Sequence, residues 1–279
     1  MSSVSKITAF AAACLTSVAA FAAPLRVCSD PNNLPYSNDQ QQGFENRIAT
    51  LIANDLHMDL TYFWFPQREA FFKKTLNGGM CDVVMGVPAG IDEADVTRPY
   101  YRSTYVFVTR RDRNLHVSSL DDPRLRTLKV GVHILGEQDD SLPPVHALVG
   151  RGIVRNLVGF SIFGNLNEKD PPADLLRAVA DGKVDVALAW GPLAGYFAQH
   201  SSVPLDITPI ASDPKDPELP FHFDIGIGVR NGDSGLKRMI NSELDKLQPQ
   251  IDDLLRSYGV PQLPIRPAPP NAESAKEGQ

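Results

Sequence analysis

The chain has 279 residues and a formal net charge of −6, with 43% hydrophobic and 22% charged residues. This composition is that of a folded globular protein and excludes broad disorder. Nucleic acid is excluded as a partner, because phosphate groups demand clustered Lys and Arg and the sequence has no basic stripe.

The first 22 residues have the pattern of an export signal. Lys6 precedes the uncharged run 7–23, which closes on the small-x-small site Ala20-Phe21-Ala22. The run is short for a membrane span and leads directly into a strand pattern, so we expect a signal peptide over 1–22. An uncleaved anchor is the alternative. No later run is apolar enough to cross a bilayer, so we expect a mature periplasmic chain without a membrane span.

Two of the three cysteines lie beyond the predicted signal. Cys28 and Cys81 are the remaining pair, and the oxidising periplasm favours a disulfide between them. Two buried thiols remain the alternative, because parallel strands in simple register would hold these residues too far apart. Neither cysteine has a second ligand at short spacing, so the sequence predicts no metal site.

From residue 25 onward, short β-rich runs alternate with helical stretches, which is the pattern of parallel α/β units. We predict strands over 25–29, 60–65, 82–87, 103–109, 128–132, 153–158, 184–189, 205–209 and 223–229. Apolar spacing and stop signals predict helices over 43–56, 68–76, 172–180, 192–200 and 234–258.

The long strands at 103–109 and 223–229 bracket the middle of the chain and predict two hinge strands. We therefore predict a two-lobed α/β fold, with lobe 1 formed by 24–109 and 223–260 and lobe 2 by 110–222. The cleft between the lobes should be lined by loops at the carboxyl ends of the parallel strands. A single larger sheet is the alternative. The Pro-rich tail over 261–279 is expected to be disordered.

Several segments resemble the type II periplasmic binding proteins, the class that contains bacterial amino-acid receptors. They are 26–36 (RVCSDPNNLPY), 82–86 (DVVMG), 98–100 (RPY) and 182–187 (GKVDVA). The resemblance implies a ligand-holding Arg after the third strand and an Asp after a lobe 2 strand. Here the segment 86–93 carries acids instead, and Trp190 stands where the Asp is expected. An α-amino-acid receptor is therefore disfavoured unless Arg68 or Arg98 substitutes.

A narrower resemblance covers longer strings of residues. The segments 28–38, 66–68, 81–90 and 97–107 are similar to the quinoprotein-dehydrogenase-associated binding proteins, the MoxJ and XoxJ group. This resemblance implies a periplasmic accessory protein for an alcohol dehydrogenase that depends on pyrroloquinoline quinone, typically methanol dehydrogenase. Such a protein would help the dehydrogenase mature or become active, and would itself be neither an enzyme nor a carrier of a cofactor. The alternative is a transporter-linked receptor for a small organic solute.

The loop after the first strand holds the first candidate contacts for a ligand or a partner segment. Asp30, Asn33 and Tyr36 carry hydrogen-bonding groups at the predicted mouth of the cleft. An Asx turn that stabilises only the loop itself is an equal alternative for Asp-Pro-Asn-Asn.

Further candidates follow the second and third strands. Gln67 and Arg68 come after the second strand, and Arg68 at a helix start is unfavourable against the macrodipole, which favours a functional partner. Pro88 and Ala89 lie in a turn after the third strand, where the backbone can approach a ligand.

Aromatic residues complete the predicted site. Tyr100 and Tyr105 lie near the hinge, and Trp190 should face them from lobe 2. An aromatic wall suits an apolar or planar partner surface. Ordinary packing between the lobes is the alternative for each residue alone.

The loop that follows strand 128–132 carries a histidine and three acids: His133, Glu137, Asp139 and Asp140. Their spacing matches no recognised metal-ligand set, so the sequence predicts a solvated loop. The chain also has no GxSxG elbow and no HExxH motif, which gives no support to an enzyme.

Overall fold

The computed structural model describes residues 23–135, 142–162 and 170–265. Within these residues the strands are β1 (Leu25–Ser29), β2 (Asn32–Asn33), β3 (Ser37–Asn38), β4 (Leu60–Trp64), β5 (Val83–Pro88), β6 (Asp95–Val96), β7 (Tyr101–Arg110), β8 (Val130–Ile134), β9 (Leu157–Ser161), β10 (Val186–Trp190), β11 (Leu205–Pro209) and β12 (His222–Val229). The α-helices are α1 (Phe44–Asp55), α2 (Phe71–Lys74), α3 (Pro143–Gly150), α4 (Asp174–Ala180), α5 (Gly191–Gln199) and α6 (Ser234–Ser257). The predicted signal peptide lies outside the described residues.

The main sheet has two halves that share the long strand β7. In the first half the order is β4-β1-β5-β12-β7, and in the second it is β7-β10-β8-β9, with β11 also paired to β7. Residues Tyr101 to Thr104 pair with β12, whereas Tyr105 to Arg110 pair with β10 and β11. One strand therefore passes from one half to the other and changes partners on the way. This confirms the predicted α/β class, while the exact lobe boundaries stay a prediction.

Each half of the sheet carries helices on its faces. In the first half, α1 and α6 bury Phe44, Ile48, Leu244 and Ile251 in one core with strands β1, β5 and β12. These apolar residues recur at helical spacing, and each fully buried side chain contributes about 1.5–3 kcal/mol. The second half has cores on both faces of β10 and β7. None of the helices in the described part of the chain is long and apolar enough to span a bilayer.

Two predicted elements differ from the structure for local backbone reasons. The helix predicted over 68–76 is limited to Phe71–Lys74, because Ala70 adopts a left-handed φ of 61° immediately before it. The strand predicted over 153–158 is instead β9, at Leu157–Ser161. The N–H of Ile153 donates to the carbonyl of Leu148 and ends α3, a helix that the sequence analysis missed, so the strand begins later.

Cys28 and Cys81 form the disulfide that the sequence left open. Their Cα atoms are 5.5 Å apart, and both side chains are buried. Cys81 lies two residues before the start of β5, so strand pairing does not fix the distance between its Cα atom and that of Cys28. The bridge joins the end of β1 to the segment that enters β5.

The chain beyond α6 is ordered for a short distance and crosses between the two halves. The Oγ of Ser103 donates to the carbonyl of Pro261 at 2.6 Å, and the N–H of Leu263 donates to the carbonyl of Arg102 at 2.9 Å. Residues 261–263 of the predicted disordered tail therefore lie along the start of β7, while the boundary of the tail stays a prediction. The rest of the predicted tail, 266–279, lies outside the described residues.

Candidate functional site

A cavity of about 300 Å³ lies between the two halves of the sheet. Its first wall comes from residues that follow β1, β4 and β5, and its second wall from residues at the ends of β8, β9 and β10. Parallel strands present their carboxyl ends to the same edge of a sheet, so loops from both halves meet there. The cavity is therefore in the position that the sequence predicts for the cleft.

Aromatic rings form much of the cavity wall. Trp190 ends β10, and its ring centroid lies 5.2 Å from that of Tyr105 and 5.7 Å from that of Phe223, both in edge-to-face geometry. Trp190 also packs against the apolar cores of both halves. Tyr36 and Tyr101 line the same cavity. The resulting wall is apolar and held in place by ring-to-ring packing.

The loop after β1 provides the polar edge of the cavity. One carboxylate oxygen of Asp30 accepts from the N–H of Asn32 at 2.8 Å, and the other accepts from the N–H of Gln67 at 2.7 Å. Asn33 donates through Nδ2 to Oε1 of Gln67 at 3.0 Å, and both amides line the cavity. Asp30 is not among the lining residues, so it holds the loop as an Asx turn would.

Glu45 lines the cavity, although the sequence analysis did not identify it. It lies in the first turn of α1, where its N–H donates to the carbonyl of Tyr36 at 3.0 Å, and the residue is 6% exposed. Its carboxyl group packs against Gly86, where an added Cβ would stand 2.0 Å from Oε1. Burial raises the pKa of Glu45 to about 8, so its carboxyl group is protonated at neutral pH.

His133 also lines the cavity, which corrects the prediction of a solvated loop. It lies within β8, is 4% exposed, and its Nε2 is 3.0 Å from the carbonyl of Pro172, to which it donates. Burial lowers the pKa of His133 to about 4, so the ring is neutral at pH 7. Glu137, Asp139 and Asp140 lie outside the described residues.

Besides Asp30, three predicted contacts lie away from the cavity. Tyr100 is fully buried in the core of the first half, with its ring centroid 5.1 Å from that of Tyr101, and of the two rings it is Tyr101 that lines the cavity. Arg68 lies in a separate groove with Phe71 and Phe72. Ala89 is exposed, and its N–H donates to the carbonyl of Asp224. Pro88, by contrast, is in the lining as predicted.

The lining residues that the structure describes carry no formal charge at neutral pH. None of the described lining residues is Lys or Arg, Glu45 is protonated, and His133 is neutral. Arg98 does not substitute for a carboxylate-binding Arg, because its Nε lies 2.7 Å from Asp245 on α6. Fixed charges that would hold a zwitterion are thus missing from the described wall.

The family model of the bacterial extracellular solute-binding proteins, family 3, matches residues 25–260, and the chain belongs to that family. It is 34% identical over 258 residues to the protein MoxJ of Methylorubrum extorquens, which covers 88% of this chain and 83% of MoxJ. The resemblance to the MoxJ and XoxJ group is thereby confirmed.

Two solved structures are similar to this one. The periplasmic binding protein XoxJ from Methylobacterium extorquens AM1 is 34% identical, has a TM-score of 0.71, and matches 86% of this chain and 99% of its own. MxaJ from Methylophaga aminisulfidivorans is 30% identical, has a TM-score of 0.74, and matches 86% of this chain and 100% of its own. The periplasmic binding protein type II fold is thus confirmed.

Proposed function

We propose that the chain is a periplasmic accessory protein for an alcohol dehydrogenase that depends on pyrroloquinoline quinone, of the methanol dehydrogenase type. Its cleft would bind an exposed segment of the dehydrogenase. The observation that carries this proposal is the aromatic lining of the cavity, which suits apolar side chains of a partner. The described lining residues carry no charge and so do not include the groups that hold a free amino acid. The likeness to MoxJ, XoxJ and MxaJ supports the same role.

The proposal gives the chain no catalytic step and no cofactor of its own. Side chains at the carboxyl ends of the strands supply a binding surface, and closure of the cleft would follow from contacts that differ between open and closed states. Trp190 is the central residue of this surface, because it packs against the cores of both halves and against Tyr105 and Phe223.

Trp190→Ala is expected to abolish capture of the dehydrogenase. Tagged wild-type protein incubated with periplasmic extract of the source cell should retain a quinoprotein, detected by mass spectrometry and by alcohol oxidation with a dye acceptor. Truncation of a central aromatic residue in an interface costs about 2 kcal/mol or more, which weakens binding by about thirtyfold. The matched control is Trp64→Ala, which removes the other tryptophan of the chain, on β4 and stacked on Tyr62.

If the wild type retains no quinoprotein and alcohol oxidation survives deletion of the chain, the proposal is wrong. Equal loss of capture in Trp190→Ala and Trp64→Ala would contradict the assignment of the cleft as the binding surface. Circular dichroism of both variants establishes that each is folded.

A receptor for a small organic solute is the second candidate, and membership of solute-binding family 3 favours it. A saturating solute at about one hundred times its dissociation constant stabilises the folded state by about 2.7 kcal/mol and raises the melting temperature. A thermal-shift screen of organic acids, alcohols and amines should show such a rise for the solute. No rise in any of these classes would count against the receptor and leave the accessory role.

A further inference from the structure

The carboxyl group of Glu45 lies on the cavity wall. The residue is 6% exposed, and in the described part of the chain no hydrogen bond or ion pair joins its carboxyl to another side chain. A polar group left unpaired in a mostly buried position is unfavourable, so a ligand that pairs with it is favoured. The backbone of Gly86 makes room for the group, because any larger residue at that position would collide with it.

The groups packed around Glu45 set the charge that an occupant meets. Tyr36 from the loop, Tyr62 from β4 and the neighbouring pair Tyr100 and Tyr101 face it, and burial raises the pKa of all four phenols. Across the cavity, burial lowers the pKa of His133 to about 4. On its own helix, Arg47 is exposed and points away from the buried face. Burial thus keeps these four phenols and His133 uncharged near neutral pH, whereas Glu45, with a pKa of about 8, changes charge between pH 6 and pH 9.

We propose that the cavity selects an uncharged, aromatic or apolar group that carries a hydrogen-bond acceptor, such as an amide carbonyl, and that the Glu45 carboxylic acid donates to this acceptor. The inference rests on the proposed binding role of the cleft and specifies its chemistry. An anion would find no described Lys or Arg in the lining, and a cation would find no ionised carboxylate below pH 8. An aromatic or apolar side chain of a partner segment is uncharged, and the backbone carbonyl next to it supplies the hydrogen-bond acceptor.

Four small probes of nearly equal size test the inference. Benzamide is uncharged and has a carbonyl acceptor, toluene is uncharged without one, and benzylamine and benzoate are charged at pH 6. Each is titrated into the full-length mature protein, and the indole N–H signal of Trp190 is followed by NMR. We expect benzamide to bind at least tenfold more tightly than the two charged probes and several-fold more tightly than toluene.

The pH dependence of benzamide binding isolates the role of Glu45. Affinity in the wild type should fall about tenfold from pH 6 to pH 9, because ionisation removes the donor. Glu45→Gln keeps an N–H donor and cannot ionise, so it should bind benzamide at pH 6 within about threefold of the wild type and lose the pH dependence. The matched control is Glu93→Gln, an exposed glutamate outside the cavity, which should behave as the wild type.

Equal binding of benzoate or benzylamine at pH 6 would overturn the inference, as would an unchanged pH dependence in Glu45→Gln. The outcome is separable from that of the proposed function. Selective benzamide binding without capture of a quinoprotein would support the inferred chemistry of the cavity and reject the accessory role. Capture of a quinoprotein without benzamide selectivity would support the accessory role and reject the inferred chemistry.

Discussion

Asp213→Ala is expected to lower the free energy of unfolding by about 3–5 kcal/mol. Both oxygens of Asp213 accept from the guanidinium of Arg151 at 2.6 Å, and the two side chains are 1% and 4% exposed. Removal of the carboxylate takes away the buried partner of this cation at the end of α3 and leaves it with the partly exposed Asp121. Urea denaturation followed by circular dichroism at pH 7 measures the loss.

The same guanidinium offers a matched control. Its Nε also donates to Asp121 at 2.9 Å, but the side chain of Asp121 is partly exposed, so Asp121→Ala should cost less than about 1 kcal/mol. The double variant Arg151→Met with Asp213→Leu should be more stable than Asp213→Ala, because no buried charge is left unpaired. If Asp213→Ala and Asp121→Ala lowered the free energy of unfolding equally, burial of the Arg151–Asp213 pair would not explain its contribution to stability.

Glu45→Gln is expected to make the protein more stable than the wild type at alkaline pH. The pKa of Glu45 is raised from its ordinary value of 4.5 to about 8 in the folded state, so between these values the folded chain holds a proton that the unfolded chain releases. The wild type therefore loses stability as pH rises from about 5 to 8, by on the order of 4 kcal/mol in total. Gln does not ionise, so the variant should not have this loss.

Free energies of unfolding measured at pH 5, 7 and 9 check the prediction. Wild type and Glu45→Gln should differ little at pH 5 and by several kcal/mol at pH 9. His133 acts in the opposite direction, because its lowered pKa removes stability as pH falls from about 6.5 to 4, but this contribution is common to both proteins. Parallel curves for the two proteins would show that Glu45 ionises normally in the folded state.

The sequence is sufficient to predict the fold because its strand and helix patterns are regular. The apolar runs at 25–29, 82–87 and 223–229 all became strands of the first half, and the heptad-like face of α6 became part of its core. The place of Trp190 at the end of a parallel strand also predicted its position in the cleft. Each of these predictions depends on periodicity or on a rule of parallel sheets, which a sequence carries directly.

The site was harder to predict because it depends on which face each loop residue presents. Glu45 lies in the first turn of α1, where an acidic residue is ordinarily a solvated partner of the helix dipole. Its burial follows from the loop that folds over it and from Gly86 on another strand. Tyr100 and Tyr101 are both buried, and a sequence does not show which of two adjacent tyrosines reaches the cavity. His133 was assigned to a loop because β8 extends two residues further than the apolar run.

The short segment after α6 has a mechanical consequence for the molecule. Gly259 lies directly against Gly195 of α5, where an added Cβ would stand 1.8 Å from the carbonyl of Gly259, and Pro261 and Leu263 bond to the start of β7. The segment begins in one half of the fold and touches a helix of the other, so it acts as a tether beside the hinge strands. We expect it to resist motion of one half against the other, because such motion would have to break its hydrogen bonds to β7 or its contact with α5.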